Sequence, residues 1–520
     1  MSTNHPAPAP STSSAAARHK RSRRDAARPR LLAPLFALSA AVTVSSCADQ
    51  PIANESIDDN SSALCACLTP TIDISRSLLV TDASALAPFS LQAVLDQLRT
   101  SASATAQTSL QLYQYWWDLN NDAAHAQTAG AHCDDQKNAS GQATINGFPI
   151  ECPRQEGVLA ATNPFQPTSP DSYVPVALVN RFDLAKTDGS DCGEYRVIFG
   201  KKSGQSNSPI PGTDRNFIIF EASLPNPVPS AGSAGCAAVA RFWAGLSTDS
   251  SATSRAAKLQ QFYFSGITEP CSGVQVAPVL TYDHFAGNGH GQVRTNQFMN
   301  SRDYFGQGAL GQPWELREYS LTRTCSGSSP CTLAMRHDSV KVNPFGPLFA
   351  ETTGTANLTP MQQDLVNNQV DKLIAGSISA ISMQTPGAYN AGESKAQTSE
   401  NDYQQQGAAN SVLLSAIQTR LTSLSSSLTP TNVLDRATTQ SCGGCHQLSN
   451  RKALGGGLIW PASNGFTHVD EQSALSNALT RQFLPHRAQV LSSYLAGICS
   501  GGSLLSASNG AGTLGGSSTH

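Results

Sequence analysis

Apolar residues recur along this chain with two periods, and the switch between them marks its organisation. Between 88 and 100, Leu91, Val94, Leu95 and Leu98 fall three or four positions apart, which places them on one face of a helix. Pro88 suits the first turn of that helix, where no backbone donor is needed. A second helix is predicted over 104–119 and carries Tyr113, Tyr115, Trp116 and Trp117. Such a cluster can stack on a sugar, but filling a core is the commoner use. Residues 132–157 are rich in Asp, Asn, Gly and Pro and predict a loop. The pattern then turns strand-like. Runs of β-branched and aromatic residues between turn formers predict strands at 173–179, 194–199, 216–222 and 274–282. Alternation of polar and apolar residues at 314–321 and 332–342 predicts half-buried antiparallel strands. Helical patterns at 236–246 and 251–264 interrupt them, with Leu259, Phe262 and Phe264 expected against the sheet. The class is α+β, with a mixed or antiparallel sheet and packed helices over 64–388.

Helical patterning returns at Thr359-Pro360-Met361-Gln362. Threonine caps, proline takes the first helical position, and glutamine closes a capping box. Met361, Leu365, Val366, Val370, Leu373 and Ile374 then form one stripe that stops at Gly376. Residues 389–410 are polar and read as a linker. Beyond them, Val412, Leu413, Ile417, Leu421 and Leu424 make one helical face, and Thr429-Pro430 opens a helix with Val433, Leu434 and Ala437 inward. Asp470 is expected to cap a third helix carrying Leu475, Leu479 and Phe483. Pro485 is expected to open a fourth, with Val490, Leu491, Tyr494 and Leu495, ended by Gly497. Residues 500–520 form a Gly/Ser tail expected to stay disordered.

Composition adds a compartment to this outline. Charged residues make up 14% of the 520, against about 25% in typical soluble proteins. Residues 1–46 hold seven Lys/Arg and one acidic residue, and the remainder holds 27 and 36, a net charge near −9. That balance disfavours nucleic acid, whose binding rests on a basic footprint. A basic stretch, Arg18 to Arg30, precedes an apolar run, Leu31 to Val44, that is too short to span a bilayer comfortably. Residues 1–46 therefore read as a signal peptide. Val44-Ser45-Ser46-Cys47 resembles a bacterial lipobox, which implies cleavage before Cys47, lipidation of Cys47, and membrane attachment through that lipid. Ala48 follows, which under that resemblance favours the outer membrane of the cell envelope. An ordinary signal peptide cut nearby is the alternative. Residues 47–63 then read as a flexible tether. The chain has 13 cysteines. Setting aside Cys47, Cys442 and Cys445 leaves an even ten (Cys65, Cys67, Cys133, Cys152, Cys192, Cys236, Cys271, Cys325, Cys331 and Cys499), enough for five disulfides in an oxidising space. Cys325 and Cys331 flank a Ser/Gly/Pro turn and read as a hairpin staple.

Cys442-Gly443-Gly444-Cys445-His446 is the run whose residue types and spacing dictate a specific chemistry. C-x-x-C-H is the attachment pattern of a c-type haem. Two thiols three positions apart can add to the two vinyl groups on one edge of the porphyrin, and the adjacent His446 then lies under the iron as proximal ligand. The glycines are expected to let the backbone pass close to the ring. Two other chemistries use the same residues: a short-loop Cys442–Cys445 disulfide beside an unrelated histidine, and half of a metal site. A zinc site would need a second ligand pair, and no other C-x-x-C occurs. A helix leading into this motif, an irregular Gly/Pro loop and closing helices resemble a class I cytochrome c domain over 411–499. The resemblance implies a small all-α domain holding one covalent haem c.

The chain departs from that family on the far side of the iron, where a methionine is usual, because no methionine follows Met383. His468 and His486 are the downstream candidates. His468 is better placed, since Trp460 and Phe466 can line a haem pocket, and bis-histidine ligation would lower the potential relative to His/Met. A five-coordinate iron would instead leave a face open to peroxide or ligands. His486 falls in a predicted first helical turn, where a cationic imidazole is disfavoured. For each histidine alone, a capping or surface role fits equally well.

The large body offers no G-x-S-x-G, H-E-x-x-H or P-loop. Its glycine-rich stretch 282–291 holds Asp283, His284 and His290, which read chiefly as a turn with solvated histidines. Asn180–Leu184, Cys192–Arg196, Asn216–Glu221 and Trp314–Glu318 together resemble a group of large exported bacterial proteins of unknown function, which implies no activity. Arg181 with Asp183 and Glu194 with Arg196 read as structural ion pairs. Three functions are compatible with these residues. The first is a lipid-anchored envelope protein whose haem exchanges electrons with a redox partner protein or a small-molecule substrate. The second is a non-enzymatic surface lipoprotein that binds a polysaccharide or protein partner, with Cys442–Cys445 a structural disulfide. The third is a mono-haem oxygenase or peroxidase.

Overall fold

Eight strands build one antiparallel sheet: β1 (Leu79–Val80), β2 (Tyr173–Arg181), β3 (Asp191–Lys201), β4 (Asp214–Pro225), β5 (Gln292–Met299), β6 (Glu315–Thr324), β7 (Thr332–Asp338) and β8 (Glu393–Lys395). They lie in the order β1 to β7, with β8 beside β7 on β6. The computed structural model describes residues 70–204, 214–287, 291–300, 311–327, 330–354 and 357–499. The expected signal peptide 1–46, the expected tether 47–63 with Cys47, the cysteines Cys65 and Cys67, His290 and residues 500–520 lie outside the described residues.

Period-2 alternation gives the sheet two unlike faces. Val197, Phe220, Val293 and Tyr319 are paired across β3 to β6 and share one face. Helices cover it: α1 (Leu91–Ser101), α2 (Ser109–Asp118), α3 (Ala237–Leu246) and α4 (Ala252–Phe264). Trp116 of α2 meets Phe220 and Tyr319 edge-on, and Trp243 of α3 and Phe262 of α4 close on Tyr195. The aromatic cluster of α2 is thus core, with Tyr113, Trp116 and Trp117 fully buried. Both first helices start later than their apolar pattern predicts, because caps decide the start. Ser90 Oγ accepts from the Ala93 amide, so α1 begins at Leu91 and Pro88 precedes it. Thr108 and Gln111 form a capping box ahead of Ser109.

Three expectations differ from what forms. The predicted strand at 274–282 reduces to Gln275–Val276, paired with Ile267–Thr268, followed by a short turn at Tyr282–Phe285. The neighbouring β5 was not expected, because its positions Arg294, Asn296 and Gln297 are polar, yet all three are buried in mid-sheet. The 389–410 stretch, expected as a linker, supplies β8 and a short helix at Tyr403–Gly407. Its polar residues are buried in pairs: Lys395 Nζ lies 2.6 Å from Glu393, and Glu393 lies 3.3 Å from Arg317.

The Thr359 capping box forms as expected. Beyond it lie α5 (Ser411–Ser423), α6 (Pro430–Thr438, capped by Thr429) and α7 (Leu484–Cys499). The third and fourth predicted helices merge. Asp470 instead ties a turn by accepting from the Gln472 and Ala474 amides. A wide i→i+5 turn, Leu479–Phe483, then runs straight into α7. That widening accommodates Pro485, which has no amide to donate. Apolar residues of α5, α6 and α7 belong to the same core cluster as those of the body. Disulfides join Cys133 to Cys152, Cys192 to Cys236, and Cys325 to Cys331, the last being the expected staple. Cys271 and Cys499 are also disulfide-bonded. Among the described residues no helix is long and apolar enough to cross a membrane.

Candidate functional site

The chain leaves α6 at Thr438 and reaches Cys442 within one turn, so the C-x-x-C-H run is held by a capped helix behind it. Gly444–Leu448 forms a short wide turn that carries Cys445 and His446. The two glycines serve backbone packing: a Cβ at Gly443 would lie 2.1 Å from the Lys395 carbonyl oxygen of β8, and one at Gly444 would lie 1.6 Å from that of Thr438. The Gly443 amide also donates to Ser394 Oγ at 2.8 Å. The motif is therefore fastened to β8, and through β8 to the sheet.

Cys442 and Cys445 are both buried and carry reduced thiols. Burial pushes the Cys442 pKa up to about 11 and raises that of Cys445 as well, which keeps both protonated near neutrality. Cys445 Sγ lies 3.3 Å from His468 Nε2, and His468 Nδ1 lies 3.0 Å from Ser476 Oγ. A thiol–imidazole pair can serve as a nucleophile. Here burial opposes the thiolate that such chemistry needs, and Cys445 does not line the adjoining groove.

His446 is oriented differently. Its Nδ1 lies 2.8 Å from the Phe466 carbonyl oxygen. A carbonyl only accepts, so Nδ1 carries the proton and Nε2 keeps its lone pair. Burial lowers the pKa to about 4, partly offset by that hydrogen bond, so the ring is neutral at neutral pH. Trp314 stacks on it at 5.2 Å between ring centroids, and Trp314 Nε1 donates to Asn296 Oδ1 at 2.6 Å. The His446 and His468 centroids are 4.6 Å apart.

Both imidazoles and Cys442 line a groove between this segment and the sheet face opposite the helices. It holds about 840 Å³ of atom-free space open to solvent, of which about 100 Å³ is wide enough for water. Leu479 and Phe483 supply apolar walls. The floor is a ladder of charge across β3, β4, β5 and β6. Arg196 pairs with Glu194 at 2.8 Å and Glu221 at 3.1 Å, and Arg294 pairs with Glu221 at 3.1 Å and Glu318 at 2.9 Å. The register puts Arg196 opposite Glu221 and Arg294 opposite Glu318. Burial acts to lower the Arg294 pKa, but Glu221 and Glu318 outweigh it and hold that pKa well above the usual range.

The structure thus brings Cys442, Cys445, His446 and His468 together. It leaves His486 outside this groove, half-buried in α7, while its neighbour Arg487 lines the wall. His284 is buried elsewhere with Nδ1 3.0 Å from the Val279 carbonyl. Sequence reasoning assigned no role in the site to Trp314, Arg294 or Arg487. Only the period-2 placement of Arg294 and Asn296 hinted that β5 has a polar face. Arg181 and Asp183 form the expected ion pair, at 2.9 Å. Among the described residues no group of three or more His, Cys, Asp or Glu side chains is placed to hold a metal ion.

The donor set fits a c-type haem on chemical grounds: two thiols and a neutral imidazole whose Nε2 is free of the hydrogen bond that fixes Nδ1. About 100 Å³ of the groove is wide enough for water, so its walls have to separate for a porphyrin to enter. No family model, no curated protein and no solved structure matches the chain.

Proposed function

We propose that this chain is an exported envelope protein, lipid-anchored through Cys47, that carries one covalent haem c in its helical C-terminal region, 411–499. Cys442 and Cys445 hold the porphyrin through thioether bonds, and His446 Nε2 is the proximal ligand. The bound haem supplies one-electron chemistry, exchanged with a redox partner protein or a small-molecule substrate. The observation that carries this reading is the His446 Nδ1 hydrogen bond to the Phe466 carbonyl, which fixes the tautomer a ligating imidazole needs. Trp314 holds the ring plane from behind. Burial of both cysteines favours their uncharged forms, which a thioether satisfies permanently.

His468 is the candidate for the far side of the iron. If His468 were to ligate, the 4.6 Å that separates its ring centroid from that of His446 would have to widen to admit an iron. A thioether at Cys445 would take away the S–H that now lies 3.3 Å from His468 Nε2.

The test is an intact mass and a pyridine haemochrome spectrum of the mature chain from a host able to load haem c. A mass increase of one haem, lost in Cys442→Ala/Cys445→Ala, is expected. A bare polypeptide mass from such cells ends the proposal. Carbon monoxide is expected to leave the reduced spectrum unchanged in the parent protein and to alter it in His468→Ala.

A further inference from the structure

The groove wall carries one positive charge more than it pairs. In the ladder, Arg196 and Arg294 meet Glu194, Glu221 and Glu318, and Lys341 lies 3.8 Å from Glu318, so three cations face three carboxylates. Beside the ladder, Arg181 and Arg487 share the single carboxylate of Asp183. Arg181 takes it with two nitrogens, Nε at 3.1 Å and the terminal nitrogen at 2.9 Å. The closest approach of Arg487 is 3.8 Å, beyond hydrogen-bond reach. Arg487 is only 6% exposed and lines the groove. Among the described residues it donates no hydrogen bond. A buried guanidinium whose one carboxylate is held closer by another arginine is costly, and its planar fork matches a second carboxylate at two points. Burial, with Arg181 nearby, also pulls the Arg487 pKa well below its usual range, with Asp183 opposing.

We propose that Arg487 marks a binding site for one carboxylate group inside the groove. Two sources share that chemistry: a propionate of the haem proposed above, or the carboxylate of a small organic acid that reaches the groove from solvent. The first source rests on the haem reading, and the second stands without it.

The experiment uses the full chain in two forms, cofactor-free from a host without haem c loading and loaded from a host with it. Succinate is the probe. In the cofactor-free chain, succinate is expected to raise Tm by several degrees, and Arg487→Gln to abolish the rise. Arg487→Lys keeps the charge without the fork and is expected to retain part of it. Arg487→Gln leaves Asp183 paired with Arg181 and removes the second of two buried cations, so it is expected to raise the Tm of the ligand-free chain, and failure to fold is not the anticipated result. In the loaded protein, a persisting succinate effect identifies an organic acid as the ligand. Its disappearance, together with a shifted midpoint potential in Arg487→Gln, identifies a propionate. If succinate leaves the cofactor-free Tm unchanged and Arg487→Gln leaves the loaded midpoint potential unchanged, the carboxylate site is refuted. If no haem is ever loaded, the succinate titration alone decides, and the two proposals fail or survive separately.

Discussion

On one face of the sheet, Val197, Phe220, Val293 and Tyr319 meet the aromatic side chains of α2, α3 and α4. On the other, the same four strands present Arg196, Glu221, Arg294 and Glu318 beneath the C-x-x-C-H segment. Neighbouring residues of one strand therefore live under opposite rules. The apolar face gains from burial itself and tolerates imprecise packing. The charged face gains little from burial and holds only while every partner is present, because a broken buried pair leaves a naked charge. The second arrangement suits a site, since it places fixed charge in a groove at little net stability.

Six substitutions break or sharpen that contrast. The largest loss is expected from Trp116→Ala, which removes a fully buried ring from Phe220 and Tyr319 and costs about 3–5 kcal/mol by urea denaturation. Arg294→Met is expected to cost about 3 kcal/mol, because it leaves buried Glu221 paired with Arg196 alone and Glu318 with only Lys341 at 3.8 Å. The faces differ in what repairs the damage: adding Glu221→Gln and Glu318→Gln to Arg294→Met should recover most of the loss, whereas no polar change should rescue Trp116→Ala. Gly443→Ala drives a Cβ against the Lys395 carbonyl and is expected to cost about 1–3 kcal/mol. It should also speed the reaction of Cys442 with a thiol reagent in the folded, cofactor-free chain.

The smallest effect lies outside the groove, at Glu400, which lines a separate cavity with Lys395 and Glu151. Burial pushes the Glu400 pKa up to about 7, with Lys395 opposing and Glu393 reinforcing. The folded value lies above the unfolded one, so the proton stabilises the fold fully below about pH 4.5. That stability is lost as pH rises through 7. Glu400→Gln should flatten the decline between pH 5 and 8 by roughly 1–2 kcal/mol, read from chemical denaturation at each pH.

This two-faced design also explains what could be read beforehand. Wherever a helix turns one apolar stripe inward, as at Leu91 to Leu98 or Val433 to Ala437, the pattern located it. β5 was illegible because its groove-facing positions are Arg294 and Asn296, and hydropathy marks such a strand as surface. β8 was hidden for the same reason, as its three residues are polar and all buried. The site was legible as local chemistry, since Cys442, Cys445 and His446 are contiguous and His468 follows closely. The segments holding Arg196, Glu221 and Glu318 stood out in the sequence, but only strand register reveals that they and Arg294 form one ladder beneath the motif. Pro485 misled because its usual meaning, a helix start, was overruled by a wide turn.

Gly443 seals the cysteine motif against a strand that hydrogen-bonds more than seventy positions upstream, at Glu315 to Arg317. Contacts between segments so far apart form late, after slow loop closure. A bulky group that is to be joined to either sulfur has to be delivered while that closure is pending, because the finished wall admits little more than water. On the haem reading proposed above, order in time would become part of the architecture: a variant that folded faster would be harder to complete.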